Sequence, residues 1–218
     1  MTKPPFLFRV TDKMSPRSIQ DLLEHLSLGN YFTFTVVRHP FDRLVSAFRD
    51  RILKGCTAQA KYHIPQIFHM TRKQLLYLGT SVLFDDTSGC IKSSFLPTFQ
   101  EFIQYIVQHP DTYDNLHWIT YDKHCSPCLV EYDAIIKLET AQQDEEYVLS
   151  QSDMNQYLNL EYKHFKTNGN GTNDHLRADY FANITCHQLD QLEQAYHMDL
   201  QLFEYDTEPF RKYCISRA

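Results

Sequence analysis

The stretch FTVVRHPFDRLVSAFRD, Phe34 to Asp50, decides the fold. Together with Tyr31–Thr33 ahead of it, its first part is an aromatic and β-branched run that reads as a buried strand, Tyr31 to Val37. Arg38-His39-Pro40 breaks the run. Proline suits the first turn of a helix, and Asp42 complements the positive end of that helix. Leu44, Val45, Phe48 and Ile52 then recur at helical spacing as one apolar face, leaving Arg43, Ser46, Arg49 and Asp50 on another. The segment is therefore strand, tight turn, helix. In α/β proteins, ligands bind at the carboxyl ends of such strands. Arg38 is placed there, and its planar guanidinium can grip two phosphate oxygens at once. Ser46 follows eight residues later, about two turns into the helix, and can offer a hydroxyl to the same anion. An isolated Arg–Ser pair is more simply a surface ion-pair residue and a solvent-facing serine. The surrounding string is what makes these two a candidate site.

The rest of the chain repeats the alternation. YDAIIKL, Tyr132 to Leu138, reads as a second strand. Thr98-Phe-Gln-Glu101 is a capping box ahead of an apolar stripe of Phe102, Ile103, Ile106 and Val107, and His109-Pro110 ends that helix. Thr185-Cys-His-Gln188 is a second capping box, opening a helix that turns Leu189, Leu192, Ala195, Tyr196 and Leu200 to the core. Lys54 to Ser94 reads as loops around one short helix near Thr71–Leu78. No repeat, low-complexity tract or long linker divides the chain. The expectation is one α/β domain over residues 1–218, with a largely parallel sheet flanked by helices.

Composition narrows the function. A chain of 218 residues can bury one good core. Aromatic residues, 14% of the total, suit either that core or a surface on which sugars stack. The net charge of −6 argues against nucleic acid, since no general basic field is available to displace counterions. A local basic patch stands out nonetheless. Arg38, Arg43, Arg49, Arg51 and Lys54 lie within one short segment against only Asp42 and Asp50, so an anionic ligand belongs there. No run approaches the roughly 18 apolar residues of a membrane span, and the N-terminal segment lacks a signal-peptide layout. Asn170-Gly-Thr172 and Asn183-Ile-Thr185 fit the N-glycosylation pattern, and six cysteines suit an oxidising compartment; together they point to a lumenal location.

Three blocks in order carry a resemblance. VRHPFDRLVSAFRD resembles the 3′-phosphate-binding motif of sulfotransferases, in which an arginine ends a strand and a serine follows eight residues on. HWITYDKHCSPCLVEYDAIIKLET, His117 to Thr140, resembles the His-Trp, Cys-x-x-Cys, Tyr-Asp and Lys-x-Glu-Thr series of the Golgi carbohydrate sulfotransferases that act at the 4-position of chondroitin, dermatan and N-acetylgalactosamine. The closing ADYFANITCHQLDQLEQAYHMDLQLFEYD resembles that family's last helix and aromatic tail.

The resemblance implies a P-loop-like sulfotransferase fold and transfer of a sulfuryl group from 3′-phosphoadenosine 5′-phosphosulfate to a glycan or glycosaminoglycan hydroxyl. From the charge and the ligand spacing, no nucleic-acid partner and no metal are expected. The resemblance also implies a place in the Golgi lumen as a type II membrane protein, held by an anchor that this chain does not contain. Arg38 and Ser46 would bind the 3′-phosphate, with Arg43 in the same turn, although Arg43 could instead pair with Asp42 or Asp50.

The acceptor hydroxyl must lose a proton as it attacks, so a general base is expected. His117 is the candidate, with Trp118 beside it to stack on a sugar; a structural histidine packed against Trp118 is the competing reading. His39 is expected to shape the phosphate loop, and Lys166 to be a solvated loop lysine. Cys125-x-x-Cys128 with His117 and His124 lacks the spacing of a zinc site. In an oxidising lumen these two thiols are expected to be oxidised, with the pairing of all six cysteines left open.

One departure stands out. The family's Pro-Lys loop, which cradles the 5′-phosphosulfate, has no counterpart here; Lys3-Pro4-Pro5 lacks the helix that should follow. The expectation is a chain incomplete at its N-terminus, with little or no sulfuryl transfer by itself. The alternative is an inactive glycan- or nucleotide-binding module that keeps the 3′-phosphate half of the site.

Overall fold

The computed structural model describes residue 24 and residues 32–69, 83–109, 115–152 and 174–216. In chain order the elements are β1 (Phe34–Val37), α1 (Pro40–Ala47) running on into a π-helical turn (Phe48–Ile52), α2 (Ala58–Ile67), a 3-10 turn (Ser93–Phe95), α3 (Phe99–Gln108), α4 (Tyr121–His124), β2 (Ala134–Lys137), α5 (Ala141–Gln151), α6 (Asp174–Phe181), α7 (Cys186–Ala195), α8 (His197–Leu202) and α9 (Glu208–Arg211). They fall into two compact units. One takes in Met1–Val37 and Cys125–His164, the other Arg38–His124 and Phe165–Ala218.

In the first unit, β1 and β2 pair in parallel, with Phe34 opposite Ala134 and Val37 opposite Lys137. Both strands lie inside the runs read from sequence and are shorter than them. Thr33 sets the start of the register: its amide donates to Asp133 Oδ2 at 2.7 Å and its hydroxyl to the Glu131 carbonyl at 3.0 Å. After β2, Asp144 accepts from the Lys137 amide at 2.8 Å and from the Thr140 hydroxyl at 2.7 Å, which ties the first turn of α5 to the strand end. The described residues thus combine helices with a parallel pair of strands.

The second unit is helical, and its core follows the sequence pattern. Phe41, Leu44, Val45 and Ile52 are fully buried, packed with Ile64 of α2, Phe102 and Ile103 of α3, and Phe181, Leu189 and Phe210. Phe48 meets Phe99 and Phe102 with ring centroids 5.3 Å apart in each case. Burying a side chain of this size contributes about 1.5–3 kcal/mol, so the α1 face is a large favourable contribution to set against the entropy of folding.

Both capping boxes form. Thr98 Oγ1 accepts from the Glu101 amide while Glu101 reaches back to the Thr98 amide, and Thr185 and Gln188 do the same. Three details differ from the sequence reading. The α1 helix stops at Ala47, and the apolar face continues through a wider turn in which the Leu53 amide bonds to the Phe48 carbonyl. A helix, α2, occupies part of the segment read as loop. Thr57 caps it, and Ala60, Ile64 and Ile67 are its buried face; Pro65 within it hid the pattern. The helix after Thr185 breaks at Tyr196, so that Leu200 belongs to α8. The helix expected near Thr71–Leu78 lies outside the described residues.

Two disulfides close loops in this unit, Cys56–Cys90 and Cys186–Cys214. Beside the first, Gly55 adopts φ +64°, and a Cβ there would come within 2.9 Å of the Ile91 carbonyl oxygen. Cys125 and Cys128 lie outside both bridges, contrary to the expected oxidation of that pair. Between them Ser126 at φ +48° opens a turn closed by the Leu129 and Val130 amides on the Ser126 carbonyl, and Cys128 is exposed on it. Among the described residues no helix is long and apolar enough to cross a membrane.

Candidate functional site

The residues singled out from sequence, Arg38, Arg43, Ser46 and His117, all fall in the helical unit. Arg38 directly follows β1 in the chain and is half-buried; its backbone amide donates to the Tyr121 hydroxyl at 3.1 Å. His39 N-caps α1. The Phe41 amide donates to His39 Nδ1 at 3.1 Å, which makes that nitrogen the acceptor, and Nε2–H therefore donates to the Asp206 carbonyl at 3.0 Å. The imidazole is fixed between the two and packs on Phe210 at 4.5 Å. It shapes the turn, as its place in the sequence suggests. Asp42, one turn in, is buried and takes a bidentate contact from Arg177, at 3.0 and 2.6 Å. The amide end of α1 is thus largely claimed by His39, leaving side chains to hold an anion.

Arg43 does not pair with Asp42 or Asp50. It donates through Nη2 to the Ile119 carbonyl, lies 4.1 Å over the Tyr121 ring and approaches Asp199 Oδ2 at 4.0 Å. Its Nε is buried and meets no acceptor among the described residues. Ser46 is half-buried in the last turn of α1, on the same side of the helix as Arg43 at a spacing of three. Asp50 instead meets Arg51 at 3.0 Å and Lys54. Arg43 with its orphaned Nε, the Ser46 hydroxyl on the same helix and Arg38, which shares Tyr121 with Arg43, are donors of the kind suited to a phosphate group.

Asp199 is a residue the sequence did not single out. Fully buried, it accepts from the Tyr121 and Asp122 amides at 2.9 and 3.0 Å and so caps α4. Burial outweighs those bonds and the Arg43 charge, pushing its carboxyl above the ordinary range. The break at Tyr196 delivers Asp199 to this position, and Tyr196 is itself fixed by its hydroxyl on the Trp118 carbonyl at 2.6 Å. No spacing in the sequence links residue 199 to residue 121; only the tertiary fold does.

His117 is half-buried on the turn after Asn115. Burial, and then the charges of Arg51 and Arg43, lower its pKa below the usual imidazole value, with Asp50 opposing. It therefore lies in the field of the basic cluster around α1 and stays neutral at neutral pH. Behind it runs a buried polar chain. Asn115 Oδ1 accepts from the His117 amide at 3.0 Å, Asn115 Nδ2 lies 3.1 Å from His63 Nε2, and His63 Nδ1 lies 3.1 Å from the Tyr105 hydroxyl, which donates to Gln66 at 2.9 Å. Burial lowers the His63 pKa to about 4. Trp118 is not a sugar platform: it is 1% exposed, with His63 at 4.7 Å and Phe102 at 5.5 Å from its ring. The apolar face it fills in the core outweighs any value on the surface.

Among the described residues no group of histidine, cysteine or carboxylate side chains is arranged to hold a metal ion. Asn183 of the second glycosylation sequon is exposed. Asn170, Lys166 and Lys3-Pro4-Pro5 lie outside the described residues.

No solved structure matches the chain. It is 33% identical over 200 residues to carbohydrate sulfotransferase 11 of Danio rerio, covering 89% of this chain and 52% of that protein. Carbohydrate sulfotransferase 11 of Mus musculus is 30% identical over 190 residues, or 85% of this chain and 50% of its own length. Carbohydrate sulfotransferase 8 of Homo sapiens is 29% identical over 199 residues, covering 88% and 42%. The chain spans about half the length of the curated relatives it matches. The model of the sulfotransferase family matches residues 7–206, which takes in α1, His117, Tyr121 and Asp199, and the chain belongs to that family.

Proposed function

We propose that this protein is a carbohydrate sulfotransferase acting on a hydroxyl of a glycan or glycosaminoglycan, in chondroitin, dermatan or N-acetylgalactosamine-containing chains. Residues 1–218 form part of one sulfotransferase domain with a P-loop-like arrangement around a largely parallel sheet. The protein works in the Golgi lumen, which the two disulfides and the exposed Asn183 suit. The observation that carries the reading is the Arg38–Arg43–Tyr121 assembly directly after β1, within the family match.

In this reading 3′-phosphoadenosine 5′-phosphosulfate, when bound, supplies the sulfuryl group. Arg38 and Ser46 hold its 3′-phosphate by charge-assisted and neutral hydrogen bonds, and Arg43 adds positive field from a buried position. His117 takes the proton of the acceptor hydroxyl. Its neutral state at neutral pH suits that task, since only the unprotonated imidazole can accept. Asn115 and His63 hold the turn that carries it.

The test is calorimetry of 3′-phosphoadenosine 5′-phosphate binding, beside transfer of labelled sulfate to desulfated chondroitin and dermatan. Arg38→Ala should reduce affinity at least tenfold, because charge-assisted bonds contribute about 1.5–3 kcal/mol each. Unchanged affinity would overturn the 3′-phosphate assignment. Nucleotide binding with no transfer would favour a binding module over an enzyme.

A further inference from the structure

Tyr121 has a hydroxyl that is engaged as an acceptor and not as a donor. A phenol carries one O–H and two lone pairs. Here the oxygen accepts from the Arg38 backbone amide at 3.1 Å. That partner is a donor and cannot take the phenolic proton, and among the described residues no group accepts it. Yet the residue is only 8% exposed. A buried donor left unused costs about 1–3 kcal/mol, a loss that folds avoid unless a ligand completes the site.

The ring is also held from every side. Its backbone amide is fixed by Asp199 at 2.9 Å, the Arg43 guanidinium lies 4.1 Å over one face, and Phe203 packs edge-on at 5.6 Å. Burial, the largest influence, pushes its pKa up, so the proton remains at any physiological pH. The charge that acts most on this hydroxyl is the Arg43 guanidinium, with Asp199 a weaker opposing influence, and the Arg38 backbone sits directly on the oxygen. A group that accepts a hydrogen bond there is an anion.

We propose that Tyr121 is a further ligand of the anion anchored by Arg38, donating its phenolic proton to a phosphate oxygen of the nucleotide. This rests on the assignment of Arg38 to the 3′-phosphate. Tyr121 thereby joins the two halves of the site: one hydroxyl orders the Arg38 backbone as acceptor and reads the ligand as donor. The selectivity this confers is for phosphate at the 3′ position.

The experiment measures affinity of the whole chain for 3′-phosphoadenosine 5′-phosphate and for adenosine 5′-phosphate, with Trp118 fluorescence as the check on folding. Tyr121→Phe should weaken the first about tenfold, as loss of one hydrogen bond to a charged group does, and leave the second unchanged. Because Tyr121→Phe also removes the acceptor for the Arg38 amide, a second variant separates the two roles. Replacing Tyr121 with 3-fluorotyrosine keeps the shape but makes the hydroxyl a better donor and a poorer acceptor. Tighter binding of the 3′-phosphorylated nucleotide is expected at pH 6.5. Weaker binding would overturn the proposal in favour of a purely positioning tyrosine. Unchanged affinity in both variants, with Arg38→Ala still impaired, would overturn it while sparing the 3′-phosphate site; an unimpaired Arg38→Ala would remove the site itself.

Discussion

Replacing Asp199 with alanine should destabilise the helical unit by about 3–5 kcal/mol. The magnitude comes from what the carboxylate holds. It has no exposed surface and accepts from two backbone amides, Tyr121 at 2.9 Å and Asp122 at 3.0 Å. Removing it leaves two buried amides unsatisfied, at about 1–3 kcal/mol each, and deprives Arg43 of its nearest carboxylate. For a urea slope of about 2 kcal/mol/M, the unfolding midpoint should fall by about 2 M. The assay is urea denaturation followed by fluorescence of the chain's single tryptophan, Trp118, which is buried in the same unit. Asp199→Asn keeps one of the two oxygen acceptors but sets an NH2 against the other amide, and should cost about 1–3 kcal/mol, less than the alanine variant. The pH dependence then has a definite sign. The folded carboxyl has a raised pKa, so its contribution is fully present below the unfolded value and is lost as pH rises through the folded one. The balance between wild type and Asp199→Asn should therefore move toward the asparagine variant as pH rises through that window. A loss under about 1 kcal/mol for Asp199→Ala would refute the argument, since two orphaned buried amides cost more than that.

Three further outcomes are expected. His63 is buried neutral with its pKa lowered to about 4, so stability should be fully present above about pH 6.5 and fall as pH drops toward 4; in His63→Gln, followed by the same fluorescence, that acid limb should flatten. Mass spectrometry without reductant should find Cys56–Cys90 and Cys186–Cys214 intact and alkylation at Cys128; breaking either bridge, with sequence separations of 34 and 28, should cost about 3–4 kcal/mol. If His117 is the base, the transfer rate should rise through a midpoint below 6.5 and then level off, and His117→Ala should lose the rise; a midpoint at or above the usual imidazole value would contradict the lowering by burial and by the charges of Arg51 and Arg43.

Elements whose signals are local were legible in the sequence. Thr98 with Glu101 and Thr185 with Gln188 announce their helices because a capping box is completed within four residues. Val36-Val37 and Ile135-Ile136 mark strands because β-branched residues favour an extended, half-covered backbone. The π-helical turn at Phe48–Ile52 escaped, because Phe48 and Ile52 also fit an α-helical face. Arg38 and Ser46 could be picked out by their spacing in one strand–turn–helix segment. Asp199 and Tyr121 could not. Their meeting depends on the break at Tyr196 and on a bond across 78 positions, and no local pattern encodes either. Trp118 misled for the opposite reason: a tryptophan beside a histidine looks the same in sequence whether the core or a sugar claims it.

The histidine at position 39 has a consequence for how variants of this protein should be read. It spans two fixed points, the Phe41 amide at one ring nitrogen and the Asp206 carbonyl at the other. Asparagine or serine could cap the helix but would fall short of residue 206, and lysine could reach 206 but could not accept from Phe41. Imidazole is thus chosen here as a strut of fixed length with an acceptor at one end and a donor at the other. A loss-of-function substitution at 39 would look like the removal of a proton-transfer group, lying as it does beside an arginine in the candidate ligand loop. It would in fact be a fastening undone between the first helix of the unit and the stretch of chain near its end.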